Sequence, residues 1–150
     1  MSDTFTAVNR FGLGARPGEL AAASTDPKTW VLRQLEKPAS MPASLSGFPP
    51  SSEAIAELIA FRLEVRKNRS KSLIMNFRKR VRQAFIDEAG ARTVAQIESA
   101  TPAVERLVAF WSNHFTVSAR KPVLAGIVGL FEREAIRPYV TGRFSDMLMA

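Results

Sequence analysis

The residues best suited to chemistry lie in one short stretch, Arg106 to Ser118, RLVAFWSNHFTVS. It holds the only histidine, His114, with Asn113 beside it and Phe110, Trp111 and Phe115 around it. Histidine is the side chain whose unperturbed pKa lets it change charge between about pH 5 and 8. His114 could therefore act as a general base or a metal ligand, with Asn113 as the positioning group. Either role needs partners. A zinc-binding helix presents ligands at i and i+4, but Phe110 and Ser118 occupy those steps around His114, and there is no His-Glu-x-x-His. Glu98, Glu105, Glu132 and Glu134 are carboxylates that folding could bring to His114, and spacing does not choose among them. The plainer alternative is a histidine hydrogen-bonded at the edge of an aromatic core.

The second chemical candidate is positive charge. The chain of 150 residues carries a net charge of +7, and residues 61 to 90 hold 9 basic side chains against 3 acidic ones. Arg62, Arg66 and Arg69 are expected along one helical face, and Arg78 and Arg82 stand at i, i+4 beside Lys71 and Lys79. Such a face could neutralise phosphates, with an affinity that falls steeply in salt. No aromatic side chain interleaves with these cations, since Phe77 and Phe85 belong to an apolar stripe with Leu73, Ile74, Val81 and Ala84. A solvated face, or arginines paired with acids elsewhere, is the simpler reading. Nucleic acid and other anionic surfaces come after it.

Other chemistries are excluded by composition. With no cysteine, disulfides, zinc–thiolate sites and thiol nucleophiles are absent. Phe11-Gly12-Leu13-Gly14 reads as a turn with apolar anchors, with Gly12 stopping a helix through a positive φ. No Gly-Lys-Ser/Thr follows it, and its glycine spacing does not fit a dinucleotide fingerprint. The longest apolar run, Val123 to Phe131, is nine residues with two glycines, whereas a membrane span needs roughly 20. The N-terminus has no apolar signal-peptide core, so the default address is cytoplasmic.

The elements that must position these residues are helices. Ser2 or Asp3 can cap a first short helix, and Pro17 with Glu19 opens a second. Asp26-Pro27 starts a third that carries Trp30, Val31, Gln34 and Leu35 on one face and ends at Pro38. Residues 38–52 are rich in proline and serine and form a loop that is mobile or wraps a surface, with Leu45 and Phe48 as pins. A long helix pair follows over about residues 53–98, broken near Asn68 to Ser72. A helix of about 25 residues would be about 38 Å long. Thr101-Pro102 is another cap-plus-proline start. Val104, Leu107, Val108, Trp111 and Phe115 then form a buried stripe, with Phe110 and His114 paired on an adjoining face. The helix frays over Thr116 to Ser118. Lys121-Pro122 opens a helix that is apolar nearly all round, through Val123, Leu124, Ile127, Val128, Leu130 and Phe131, and Arg137-Pro138 breaks it. A last amphipathic helix begins near Phe144. Trp30, Trp111 and Phe115 are the expected core anchors, and Trp111→Ala should cost about 3–5 kcal/mol if Trp111 is buried. The fold class is all-α, an orthogonal or irregular multi-helix bundle forming a single domain over residues 1–150.

Two of these stretches resemble a family. AVNRFGLGARP from Ala7 to Pro17, with Glu19-Leu20, Trp30-Val31 and Gln34-Leu35, resembles the N-terminal signature of the bacterial family known as domain of unknown function 1800. Phe110-Trp111-Ser112-Asn113-His114-Phe115 resembles its phenylalanine-tryptophan-x-asparagine-histidine-phenylalanine motif. The order and spacing of both signatures fit over essentially the whole chain. Members of the family are typically much longer, so the resemblance implies the N-terminal portion of a larger domain. A later motif rich in Glu and Leu has no counterpart here, and many relatives carry a second histidine where this chain has Ser112. A site built from those groups would be incomplete. Many relatives are exported or found beside exported proteins, so the resemblance leaves export open.

The family has no settled activity, and no cofactor follows from it. The expected function is a structural or interaction module, whose partner is another protein or the C-terminal part of the same domain. The first alternative is part of a histidine-centred enzymatic or metal site, with His114 and Asn113 in the roles above, completed by absent C-terminal residues. The second is nucleic-acid binding by the basic helices.

Overall fold

The computed structural model describes residues 2–37, 39–117 and 122–150. The expectations placed on Pro38, Ser118 and Lys121, and on the side chain of Val123, lie outside the described part. Among the described residues there are helices and no strand. The all-α expectation holds.

Ser2 caps α1 (Asp3–Thr6) by accepting the Phe5 N–H at 3.3 Å, and the helix widens into a π-turn over Ala7–Phe11. Gly12 does stop it, but not through a positive φ. Its φ is −96°, and glycine is required because a Cβ there would lie 2.5 Å from the Val8 carbonyl oxygen. The turn is not anchored as expected either. Phe11 and Leu13 are exposed, and Ala7 and Val8 are the buried residues. Gly18, at φ 86°, precedes α2 (Glu19–Ala23). α3 (Pro27–Leu35) starts as expected, with Asp26 accepting the Thr29 N–H at 3.0 Å and Pro27 in the first turn.

The Pro/Ser-rich loop wraps a surface. Its 3₁₀ turn Ala43–Leu45 lies on the long helix, with Leu45 buried and the Ser44 hydroxyl donating to the Ala91 carbonyl at 3.0 Å. Phe48 is half-buried. The helix pair is α4 (Ser51–Lys67) and α5 (Lys71–Glu98), joined by Asn68 to Ser70. α5 runs unbroken past Gly90. Ser70 supplies its cap through Leu73 N–H at 3.5 Å.

α6 (Pro102–His114) has Pro102 in its first turn, but the Thr101 side chain makes no cap bond. The Ser99 hydroxyl accepts the Thr101 N–H at 3.1 Å instead. Val104 and Val108 of α6 are buried with Val140 and Met147, and Leu107, Trp111, Phe115 and Tyr139 pack on them half-buried. Trp30 is half-buried outside that cluster.

The expected single apolar helix after residue 121 is in fact divided. α7 (Pro122–Ala125) and α8 (Val128–Phe131) flank a turn at Gly126 and Ile127. A π-turn (Glu132–Ile136) and a 3₁₀ turn (Arg137–Tyr139) then lead to α9 (Phe144–Met149). The irregular backbone past α8 coincides with buried charge: Glu132, Arg133 and Arg137 are all buried, as is Glu88 of α5. No helix among the described residues is long and apolar enough to cross a membrane.

Candidate functional site

The helix α6 presents three faces, and each of the suspected residues falls on a different one. The first is the core stripe. The second carries His114, which is exposed and enclosed only by rings. Its imidazole stacks on Phe110 with centroids 6.0 Å apart, and meets Trp111 and Phe115 edge-on at 5.5 and 5.0 Å. Phe144 of α9 extends the array, 5.3 Å from Trp111 and 6.1 Å from Phe115. The expected pairing of Phe110 with His114 at i, i+4 is therefore seen, as a ring stack. Among the described residues no hydrogen bond or ion pair reaches the His114 imidazole.

The third face carries Ser112 and Asn113. Both line a cleft of about 290 Å³ with Arg92, Gln96, Thr116 and Glu132, and His114 is not part of its lining. Asn113 and His114 are neighbours in sequence but do not assemble around one cavity. At the floor of the cleft the Ser112 hydroxyl donates to Glu132 Oε2 at 3.3 Å, and Arg92 Nε forms an ion pair with the same oxygen at 2.8 Å.

Behind Glu132 lies the most tightly built polar cluster. Arg137, 1% exposed, donates from Nη1 and Nη2 to the two carboxylate oxygens of Glu105 at 2.6 and 2.9 Å. Nη2 also reaches Glu132 Oε1 at 3.3 Å. Burial by itself would favour the neutral guanidine. The hydrogen bonds and charges of Glu105 and Glu132 outweigh it and hold the Arg137 pKa above its ordinary value. Arg137 Nε is the only buried side-chain nitrogen or oxygen without a hydrogen-bond partner among the described residues. Next to this cluster, Arg133 Nε donates to Glu88 Oε1 at 2.6 Å, and its Nη2 donates to the Pro49 carbonyl at 2.9 Å.

Three of the four carboxylates proposed for His114 are thus occupied elsewhere. Glu105 and Glu132 hold Arg137 and Arg92, and Glu134 accepts the Ser51 N–H at 2.7 Å. Glu98 is exposed at the end of α5. Among the described residues, no group of three or more His, Asp or Glu side chains stands close enough to hold a metal ion.

The basic candidates are all exposed. Arg62 and Arg66 lie on α4 and Arg78 and Arg82 on α5, whereas Arg69 falls in the loop between them and not on the helical face. Sequence reasoning named Glu105 and Glu132 only as possible partners of His114, and missed their pairing with arginine as well as Arg133 and Arg137 themselves. Their only trace was charge inside otherwise apolar periods, which names neither the partner nor the depth.

A family model described as "Protein of unknown function (DUF1800)" matches residues 6–150 of the chain. No curated protein and no solved structure matches it.

Proposed function

We propose that this chain, which belongs to the DUF1800 family, serves as a structural and interaction module that binds a protein surface through its α6–α9 aromatic face. The observation carrying this reading is the contiguous array of Phe110, Trp111, His114, Phe115 and Phe144. Its outer members stay open to solvent, Phe110 being 56% and Phe144 48% exposed, and Leu148, one turn beyond Phe144 on α9, is 57% exposed. Contiguous exposed apolar surface of this kind marks interaction sites, and aromatic side chains are the usual anchors. His114 sits within the array as a ring partner, with a polar edge that suits the rim of a contact. The buried Glu105–Arg137–Glu132 cluster serves to hold α6 against the segment that carries α9, and so keeps the two halves of the face together.

The test is site-specific photocross-linking in the native cell. A photoreactive residue at Phe110 should yield one discrete adduct, which disappears when Leu148→Ser is added. The same residue at the exposed Thr25 should yield none. Equal labelling at both positions, or no adduct at Phe110, overturns the reading.

A further inference from the structure

The α4–α5 hairpin has a second surface with a distinct chemistry. None of the 17 residues of α4 is fully buried. Its inward side is Ala54, Leu58, Phe61 and Val65, half-buried, and Phe61 stacks on Phe77 of α5 with centroids 3.7 Å apart. That seam sets the rotation of both helices. Glu57 pairs with Arg80 at 2.8 Å across one broad face of the hairpin. Helical position puts Glu53, Glu64 and Asp87 on that same side.

The opposite broad face is different in kind. On α4 it carries Ile55, Ile59 and Leu63 at i, i+4, i+8, with Arg62 and Arg66 interleaved. On α5 it carries Lys71, Arg78 and Arg82, with Met75 at its margin. No acidic residue of either helix falls there. The aliphatic members are open to solvent, with Ile55 48%, Ile59 53%, Leu63 54% and Met75 69% exposed.

We infer that this face docks on the surface of an anionic lipid bilayer. The inference is independent of the aromatic face, which lies on other helices. Charge complementarity carries it: Arg62, Arg66, Lys71, Arg78 and Arg82 share the side from which the carboxylates of the hairpin are excluded, while Arg80 is spent on Glu57 on the other. The aliphatic row decides between anionic surfaces. Arginine stems can lie along that row and lift their guanidinium groups to phosphate level, while the isoleucine and leucine side chains enter the boundary between headgroups and acyl chains. A nucleic acid would use the cations but leave the aliphatic row in water, and the face offers no aromatic platform for unpaired bases.

The experiment is co-sedimentation of the full chain with vesicles. Vesicles of phosphatidylcholine and phosphatidylglycerol in equal parts should retain the protein, and vesicles of phosphatidylcholine alone should not. Arg62→Ser with Arg66→Ser should weaken retention roughly thirtyfold, since each cation near such a surface contributes about a five- to sixfold gain. Ile59→Ser with Leu63→Ser should remove the part of the binding that survives high salt. Because the chain has no cysteine, a fluorophore at Ile59→Cys can be compared with one at Gln83→Cys on the other side. Only the first should become shielded from an aqueous quencher when vesicles are added, a readout that survives if the arginine variants misfold. Equal shielding at both positions, retention by phosphatidylcholine alone, or no retention at all overturns the inference. So does retention on duplex DNA, or on an acidic protein surface, without retention on vesicles.

Discussion

Arg137 and Glu105 meet through two parallel hydrogen bonds of 2.6 and 2.9 Å, with both side chains at most 3% exposed. Geometry of this fork-to-fork kind is the strongest that an arginine and a carboxylate can make. It also joins two distant parts of the chain, α6 and the turn before α9. A buried pair contributes little net stability over a well-packed apolar pair, but removing one member strands the other. Glu105→Ala should therefore destabilise the fold by about 3–5 kcal/mol, measured by urea unfolding. Replacing both members, as Glu105→Leu with Arg137→Met, should recover most of that loss. If the double variant is no more stable than the single one, the pair is not the reason for the loss.

Gly129 makes the second prediction, because it sits directly on Glu88. A Cβ at this position would overlap the Glu88 carboxylate, which accepts from Arg133 at 2.6 Å. Gly129→Ala must displace that carboxylate and leave Arg133 with only the carbonyls of Phe48 and Pro49. The expected cost is about 2–4 kcal/mol, between overpacking and a broken buried pair. Thermal unfolding of Gly129→Ala checks it. A loss no larger than the few tenths that an exposed glycine change produces would contradict the contact.

The pH dependence follows from two carboxylates. Hydrogen bonds from Ser51, which outweigh the opposing effect of burial, hold Glu134 below the ordinary carboxylate range. Hydrogen bonds from Thr29 do the same for Asp26 at the start of α3. A carboxylate whose folded pKa is depressed binds fewer protons folded than unfolded. Its stabilisation is complete above the unfolded pKa and is lost as the pH falls through the folded one. Glu134→Gln and Asp26→Asn should each be less stable than the parent chain near neutral pH, and the gap should close in acid. Denaturant melts across the acid range measure it, and a gap that widens in acid would reverse the assignment.

These cases show where sequence could and could not be read. Caps and prolines act within a few residues, so Ser2, Asp26-Pro27 and Pro102 placed their helices without any tertiary information. The stripe of α6 was legible because burial imposes a helical period on Val104 and Val108. The region after residue 121 was not. Its apolar period suggested one helix, yet Glu132, Arg133 and Arg137 turn inward to partners 20 to 45 positions away on α5 and α6. Such pairings leave no local pattern. His114 shows the converse. Local spacing did forecast its stack with Phe110, whereas nothing local announced that Glu105 and Glu132 pair with arginines.

Trp111 supplies the last test, and here the structure lowers the expected number. Full burial would make Trp111→Ala cost about 3–5 kcal/mol, but its indole is half-buried. It touches the core cluster on one side and the rings of Phe110, His114, Phe115 and Phe144 on the other. Losing part of the apolar burial and several ring contacts should cost about 2 kcal/mol. The second consequence is more specific. Phe115 and Phe144 stack 6.1 Å apart beside Trp111, so its removal should loosen α9 while α3 stays on α6, where Gln34 Oε1 accepts the Ala103 N–H at 2.9 Å. Hydrogen exchange of the Met147 and Leu148 amides should quicken in Trp111→Ala, whereas the Val104 and Val108 amides should slow-exchange as before. A uniform change across both sets would mean that Trp111 supports the whole core rather than the seam to α9.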